Sequence, residues 1–209
     1  MFLSTWYPLF FQKITEGCDI NDFIERIKDV SFIIFNYDRC FEYYMTHALC
    51  VYYKISKAFA EGIVEKMDII HPYGDIGDIR KVPLDVSFSI DELLKLSKNI
   101  RTFAEDSEET RKERTAIKHL VDRTNRIIFL GFAYHQMNLN LLFEHPNTEK
   151  SINSFVHCYG TGYGISENDR MFLQETLKST YKQITHCEIS GDTCAEFFNN
   201  FWHRLSFRG

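Results

Sequence analysis

The sequence is poor in residues that break regular structure, with Gly 10 and Pro 4 among 209 residues. This scarcity favours helices and strands joined by short loops over a loop-rich fold. The six cysteines form no C-x-x-C pair, and a chain of this length does not need disulfides for stability. We therefore expect reduced thiols and a cytoplasmic location. No stretch approaches the ~20 apolar residues of a membrane span, and residues 1–11 lack the basic region and cleavage site of a signal peptide.

An excess of positive charge is also missing. Lys+Arg 24 against Asp+Glu 29 gives a net charge of -5, so there is no electrostatic reason to expect binding to nucleic acid or to an anionic membrane. Hydrophobic residues at 44% and charged residues at 25% match an ordinary globular protein. No linker rich in Pro, Gly or Ser interrupts the chain, so we predict a single domain over residues 1–209.

The apolar pattern predicts strands that alternate with helices. Short apolar runs typical of strands buried on both faces of a parallel sheet are Val30–Phe35 and Ile127–Leu130. Three further strands are predicted at Met67–Ile70, Ser154–Tyr159 and Ile184–Ile189. Helical spacing predicts helices at Asp19–Lys28, Arg39–Lys57 (mostly buried), Ile90–Phe103 with a Ser89/Glu92 capping box, Glu105–Arg126, a stretch ending at Leu142, Glu167–Lys182, and a last helix capped by Asp192 and reaching Trp202. This alternation predicts an α/β fold with a Rossmann-like parallel sheet and helices on both faces.

Polar clusters follow three of the predicted strands. They are Asn36-Tyr37-Asp38, His71-Pro72-Tyr73-Gly74, and Gly131 through Asn138, which includes Phe132. In a parallel sheet, ligands bind outside the carboxyl ends of the strands. Each cluster alone also has a structural interpretation: local turn or helix-cap hydrogen bonds for Asn36 and Asp38, a hydrogen-bonded structural role for His71, and a tight turn at Gly131. Their combination at three strand ends favours a binding site.

The ordered segments FIIFNYDRCFE, IIHPYGDIG and IIFLGFAYHQMNL resemble the sirtuin-like family of NAD-consuming domains, especially its bacterial antiphage NAD hydrolases. The positions that match the family pattern are Asn36 and Asp38, His71, and Gly131, and the similarity spans about Val30 to Gly164. The resemblance implies a Rossmann-like fold, NAD as the substrate, and hydrolysis to nicotinamide and ADP-ribose in antiphage defence.

Residue roles follow from the same resemblance. Asn36 would position water and the nicotinamide ribose, and His71 would act as general base at a ribose hydroxyl. Asp38 would hold the cofactor or a loop, and the neighbouring cofactor-binding candidates are Tyr37, Gly74, Gly131, Phe132 and Asn138. Cleavage of the nicotinamide bond passes through an oxocarbenium-like state, which needs an oriented water and groups that handle protons on the sugar. Asparagine and histidine side chains suit those tasks.

Two departures from the family pattern narrow this interpretation. No glycine-rich turn precedes Val30, so we expect the fold to be incomplete at its N-terminus and an exposed sheet edge to invite a partner chain or a second copy. Zinc-dependent protein-deacylating sirtuins carry paired C-x-x-C motifs after the histidine, whereas Pro72 to Arg126 contains no cysteine. NAD hydrolysis is therefore favoured over deacylation, and no metal is expected.

Other constellations are weaker. Adjacent residues on a strand point to opposite faces, so His157-Cys158 and His186-Cys187 do not suit chelation of one ion. Cys40 is interpreted as a buried small hydrophobic residue rather than a nucleophile paired with His71. The tract Tyr159–Gly164 is interpreted as a strand-to-helix turn. The alternative to NAD hydrolysis is a non-catalytic nucleotide-binding or protein-interaction module in which the polar strand ends are structural.

Overall fold

A computed structural model describes residues 5–77, 89–97, 100, 108–143 and 155–205. The chain divides into two compact units, the first running to Glu113 and the second beginning at Arg114. No interruption of regular structure marks this boundary, because it falls inside one helix. The two units are described separately below, and the prediction of a single domain stays a prediction.

The first unit contains a two-stranded parallel sheet, five helices among the described residues and the start of a sixth. Its elements are α1 (Tyr7–Thr15), α2 (Ile20–Ile27), β1 (Ser31–Ile33), α3 (Cys40–Tyr53), α4 (Lys57–Val64), β2 (Asp68–Ile70) and α5 (Ile90–Ser97), and α6 (Glu108–Arg123) crosses into the second unit. Ser31 pairs with Asp68 and Ile33 with Ile70, which sets the parallel register of β1 and β2. This sheet and α3 meet through Phe32 and Phe41, whose ring centroids lie 4.5 Å apart.

Local signals explain where these helices begin and end. Asp19 caps α2 by accepting the backbone N–H of Asp22, whose side chain in turn accepts the N–H of Asp19. The prediction of one helix over Arg39–Lys57 is wrong in its end, because Lys54 adopts a left-handed conformation (φ 54) that terminates α3. Ser56 then caps α4, a helix that was not predicted from the sequence. The predicted Glu92 cap involves a side chain outside the described residues.

The second unit contains a three-stranded parallel sheet in the order β3-β4-β5. Its elements after α6 are β3 (Arg126–Phe129), α7 (Gln136–Leu142), β4 (Val156–Thr161), α8 (Glu167–Thr180), β5 (Ile184–Ser190) and α9 (Cys194–Asn200). Cys158 pairs with Ile127 on one side and with Cys187 on the other, so β4 is the central strand. Val156, Cys158 and Leu177 are buried in this unit, where α8 packs on β5.

Helix capping in the second unit corrects one sequence prediction. Asp192 was predicted to cap the last helix, but Thr193 does so: its hydroxyl accepts the N–H of Glu196 at 3.3 Å, and the Glu196 carboxylate accepts the N–H of Thr193 at 2.9 Å. This reciprocal pair satisfies the backbone donors of both Thr193 and Glu196. The helix also ends at Asn200, short of Trp202.

The α/β class predicted from the sequence is confirmed, and every described strand pair is parallel. Hydrogen bonds join the described strands into two small sheets rather than one. All five predicted strands are present, with ends within three residues of the predicted ones. Among the helices that the structure describes, none combines the length and the apolar character that crossing a membrane requires.

Two glycine substitutions test this packing. An added Cβ at Gly160 in β4 would overlap the Tyr134 hydroxyl, which donates a buried hydrogen bond of 3.0 Å to the Thr161 carbonyl. Gly160→Ala should therefore destabilise the protein by about 1–3 kcal/mol. The matched control is Gly62→Ala in α4, where nothing lies within 4 Å of the added carbon. It should stabilise by up to about 1 kcal/mol, since alanine is the better helix former. Urea unfolding measures both, and equal effects would contradict the described packing.

Candidate functional site

The carboxyl ends of β1 and β2 bring together the two residues that the sequence placed in catalysis. His71 directly follows β2, and its Nδ1 lies 3.0 Å from the backbone carbonyl oxygen of Asn36 in the segment after β1. Asn36 is exposed, and its side chain makes no hydrogen bond to another described residue. His71, in contrast, is buried, with 8% of its surface exposed. The asparagine therefore presents its amide to solvent while the histidine holds its main chain.

His71 belongs to a chain of alternating charges. Its Nε2 lies 2.8 Å from Oε1 of Glu42 on α3, a carboxylate that is only 1% exposed. Arg39, the residue before α3, donates from Nε to the same oxygen at 2.5 Å, and its Nη1 reaches Asp75 at 3.3 Å. Burial of an ionised carboxylate alone would cost several kcal/mol, and the two flanking cations offset that cost. The chain joins the segment after β1, the segment after β2, and α3.

The partners of His71 determine its protonation state. A carbonyl oxygen only accepts hydrogen bonds, so Nδ1 must carry a proton that it donates to Asn36. An ionised Glu42 carboxylate also only accepts, so Nε2 must carry a proton as well. With Glu42 ionised, His71 is an imidazolium in this arrangement, and both of its nitrogens are occupied.

The electrostatic surroundings agree with this assignment. Burial lowers the pKa of His71, but the hydrogen bond and the negative charge of Glu42, together with the Asn36 carbonyl, outweigh burial and hold the pKa above the usual value of 6.5. The nearby charge of Arg39 acts in the opposite direction. In this conformation the predicted role of general base would require His71 to give up one of its two hydrogen bonds.

The other predicted site residues of the first unit lie close by. The Asp38 carboxylate accepts the N–H of Cys40 at 3.0 Å, which is the local Asx turn that such a residue commonly makes. Tyr37 is 43% exposed, and its carbonyl accepts the N–H of Ile76. Gly74 (φ 75) closes a turn by donating its N–H to the His71 carbonyl at 2.9 Å, a conformation that glycine adopts readily.

The remaining predicted cofactor residues belong to the second unit. Gly131 (φ 60) follows β3 and donates its N–H to the Thr161 hydroxyl at 2.9 Å. Phe132 stacks on Phe129 with ring centroids 5.0 Å apart. Asn138 is half-buried in α7. Their roles in cofactor binding stay predictions from the resemblance.

The cysteines and paired histidines are placed as strand alternation predicts. His157 and His186 are exposed partners across β4 and β5, whereas Cys158 and Cys187 are buried. Burial raises the pKa of Cys187 to about 11. Cys40 is half-buried, and burial followed by Asp38 and Glu42 raises its pKa to about 11, which disfavours a thiolate nucleophile. Within the described residues, no group of three or more His, Cys, Asp or Glu side chains is placed to hold a metal ion.

Sequence reasoning missed Glu42 and Arg39. The signal was present: Glu42, Met45, Thr46 and Leu49 have the i, i+3, i+4, i+7 spacing of a single helix face, and all four are buried. A glutamate on such a face needs a cationic partner. In addition, Glu42 Oε2 and the Thr46 hydroxyl, one helical turn apart, are buried without a hydrogen-bond partner among the described residues.

Comparisons with protein-family models, with curated proteins and with solved structures found no match.

The charge state of His71 predicts how stability depends on pH. Because its folded pKa is raised, the ion pair contributes fully below pH 6.5, the usual histidine pKa, and is lost as the pH rises through the folded pKa. In that window the free energy of unfolding should fall by up to about 1.4 kcal/mol per pH unit. The amide introduced by Glu42→Gln can donate to a neutral His71. The free energy of unfolding of this variant should therefore depend less on pH.

Urea unfolding at several pH values, followed by Trp6 fluorescence in a Trp202→Phe background, measures this difference. Exposed Glu25→Gln is the matched control, since Glu25 pairs with Lys28 at the surface. Parallel curves for Glu42→Gln and the parent would contradict the imidazolium assignment.

Proposed function

We propose that this chain cleaves NAD to nicotinamide and ADP-ribose, on a Rossmann-like fold of sirtuin-like type. One observation carries the proposal: Asn36 and His71 meet at the carboxyl end of a parallel strand pair. This is the edge where parallel sheets bind ligands. The order of the three segments in the sequence supports the same conclusion. The defence role, the cytoplasmic location and a partner on a sheet edge come from sequence reasoning alone.

The reaction needs few groups. The bond between C1′ of the ribose and the nicotinamide nitrogen breaks, and its electron pair neutralises the positive nitrogen of the leaving group. A water oxygen then bonds to the oxocarbenium-like C1′, and a proton passes to solvent. The exposed amide of Asn36 is suited to orient that water, because an oriented reactant lowers the entropic part of the barrier.

A second candidate is favoured by a specific observation. Both nitrogens of His71 are engaged in buried contacts, as in a histidine that is purely structural. This supports a non-catalytic module that binds a nucleotide or a protein through the exposed Asn36 and Tyr37. Such a module would bind NAD, or a protein partner, without turnover.

Purified protein incubated with NAD, with chromatographic measurement of nicotinamide and ADP-ribose, tests the first candidate. Asn36→Ala should lower kcat by roughly 10²-fold or more, because the oriented water is lost. The fold should persist, since His71 holds the backbone of residue 36 and not its side chain. Asn21→Ala, on the exposed surface of α2, is the matched control and should keep full activity.

Equal turnover by the two asparagine variants would remove Asn36 from the mechanism. If the parent protein leaves NAD intact, amide chemical shifts of residues 36–38 during titration with NAD decide whether the site binds the nucleotide without cleaving it.

A further inference from the structure

We propose that His71 is a positioning residue, which in its imidazolium form fixes the Asn36 main chain through a proton that Glu42 compels it to keep. The inference rests on the proposed function and replaces the role of general base that the family resemblance gives to His71. Three observations carry it: the two hydrogen bonds of the ring, the burial of Glu42, and the attachment of His71 to the backbone of Asn36.

Loss of a proton from His71 changes which hydrogen bonds its ring can make. A neutral ring keeps only one N–H, and it must choose between the Glu42 carboxylate and the Asn36 carbonyl. The bond to an ionised carboxylate is the stronger of the two. The ring therefore keeps its proton on Nε2 and turns a lone pair toward the Asn36 carbonyl, which is repulsive. Deprotonation thus releases the Asn36 segment from β2.

Charged groups from three segments around His71 determine how readily its ring is protonated. Glu42 on α3 favours the imidazolium, and Arg39, the residue before α3, opposes it. From the segment after β2, Asp75 pairs with Arg39 and so limits that opposition. From the segment after β1, Asp38 is engaged by the N–H of Cys40. Among the described residues, Glu42 is the carboxylate in direct contact with the ring.

The substitution Glu42→Gln changes which nitrogen of a neutral His71 ring carries the proton. A glutamine NH2 in the place of Oε1 faces both Nε2 of His71 and Nε of Arg39, so it donates to the lone pair on Nε2 when Arg39 shifts toward Asp75. A neutral His71 is then free to keep its proton on Nδ1 and to hold Asn36. The variant should therefore retain the Asn36 contact at a pH where the parent has lost it. A general base makes the opposite prediction, because its activity rises as histidine loses its proton.

The test combines nuclear magnetic resonance with kinetics. In the parent protein, the Tyr37 amide, whose peptide group contains the Asn36 carbonyl, should titrate with the same midpoint as the His71 ring. Above that midpoint kcat for NAD should fall by up to tenfold per pH unit, whereas KM should change little. Glu42→Gln should flatten both profiles, and Glu25→Gln should leave both unchanged.

The possible results separate the two proposals. A Tyr37 amide that ignores the titration of His71 overturns the positioning role, whether or not NAD is cleaved. A kcat that rises with pH through that midpoint also overturns it and restores the general base. If the amide titrates with the ring but NAD stays intact, the contact is supported and the proposed hydrolysis is overturned. Should Glu42→Gln fail to fold, the two titrations of the parent protein still decide.

Discussion

The buried contact between Glu42 and His71 is the interaction on which the first unit depends. The Glu42 carboxylate, with 1% exposure, lies between Arg39 and His71, and the histidine also holds the Asn36 main chain. The segment after β2 is thereby held to the segment after β1 and to α3 at one end of a very short strand pair. Since β1 and β2 have only three residues each, ladder hydrogen bonds alone would hold that end weakly.

The same contact separates two demands that are often in conflict. A functional side chain must face solvent, whereas the backbone that carries it must be rigid. At position 36 the carbonyl is held by His71 while the side chain is exposed, so each can be altered with little effect on the other. The unpartnered Glu42 oxygen and the Thr46 hydroxyl show that polarity on this helix face has a cost, which a solely apolar face would avoid.

Much of the fold was accessible from the sequence, because strands buried in a parallel sheet carry continuous apolar runs, as at Ile127–Phe129. The end of α3 could not be predicted from the sequence, because Lys54 adopts a left-handed conformation that is normally signalled by a glycine or an asparagine. The helix was also predicted to be mostly buried, yet Val51 is 64% exposed. In the site, Asn36 and His71 were found because polar residues follow strands. Glu42 was missed because a search for apolar periodicity passes over a charged residue on the buried face.

The paired cysteines of the second unit have a practical consequence. Cys158 and Cys187 lie side by side on β4 and β5, and burial raises the pKa of both thiols, so neither is a thiolate near neutral pH. An alkylating reagent can reach them only in molecules whose strands have parted. The rate at which these two thiols are alkylated therefore reports how often the sheet of the second unit opens.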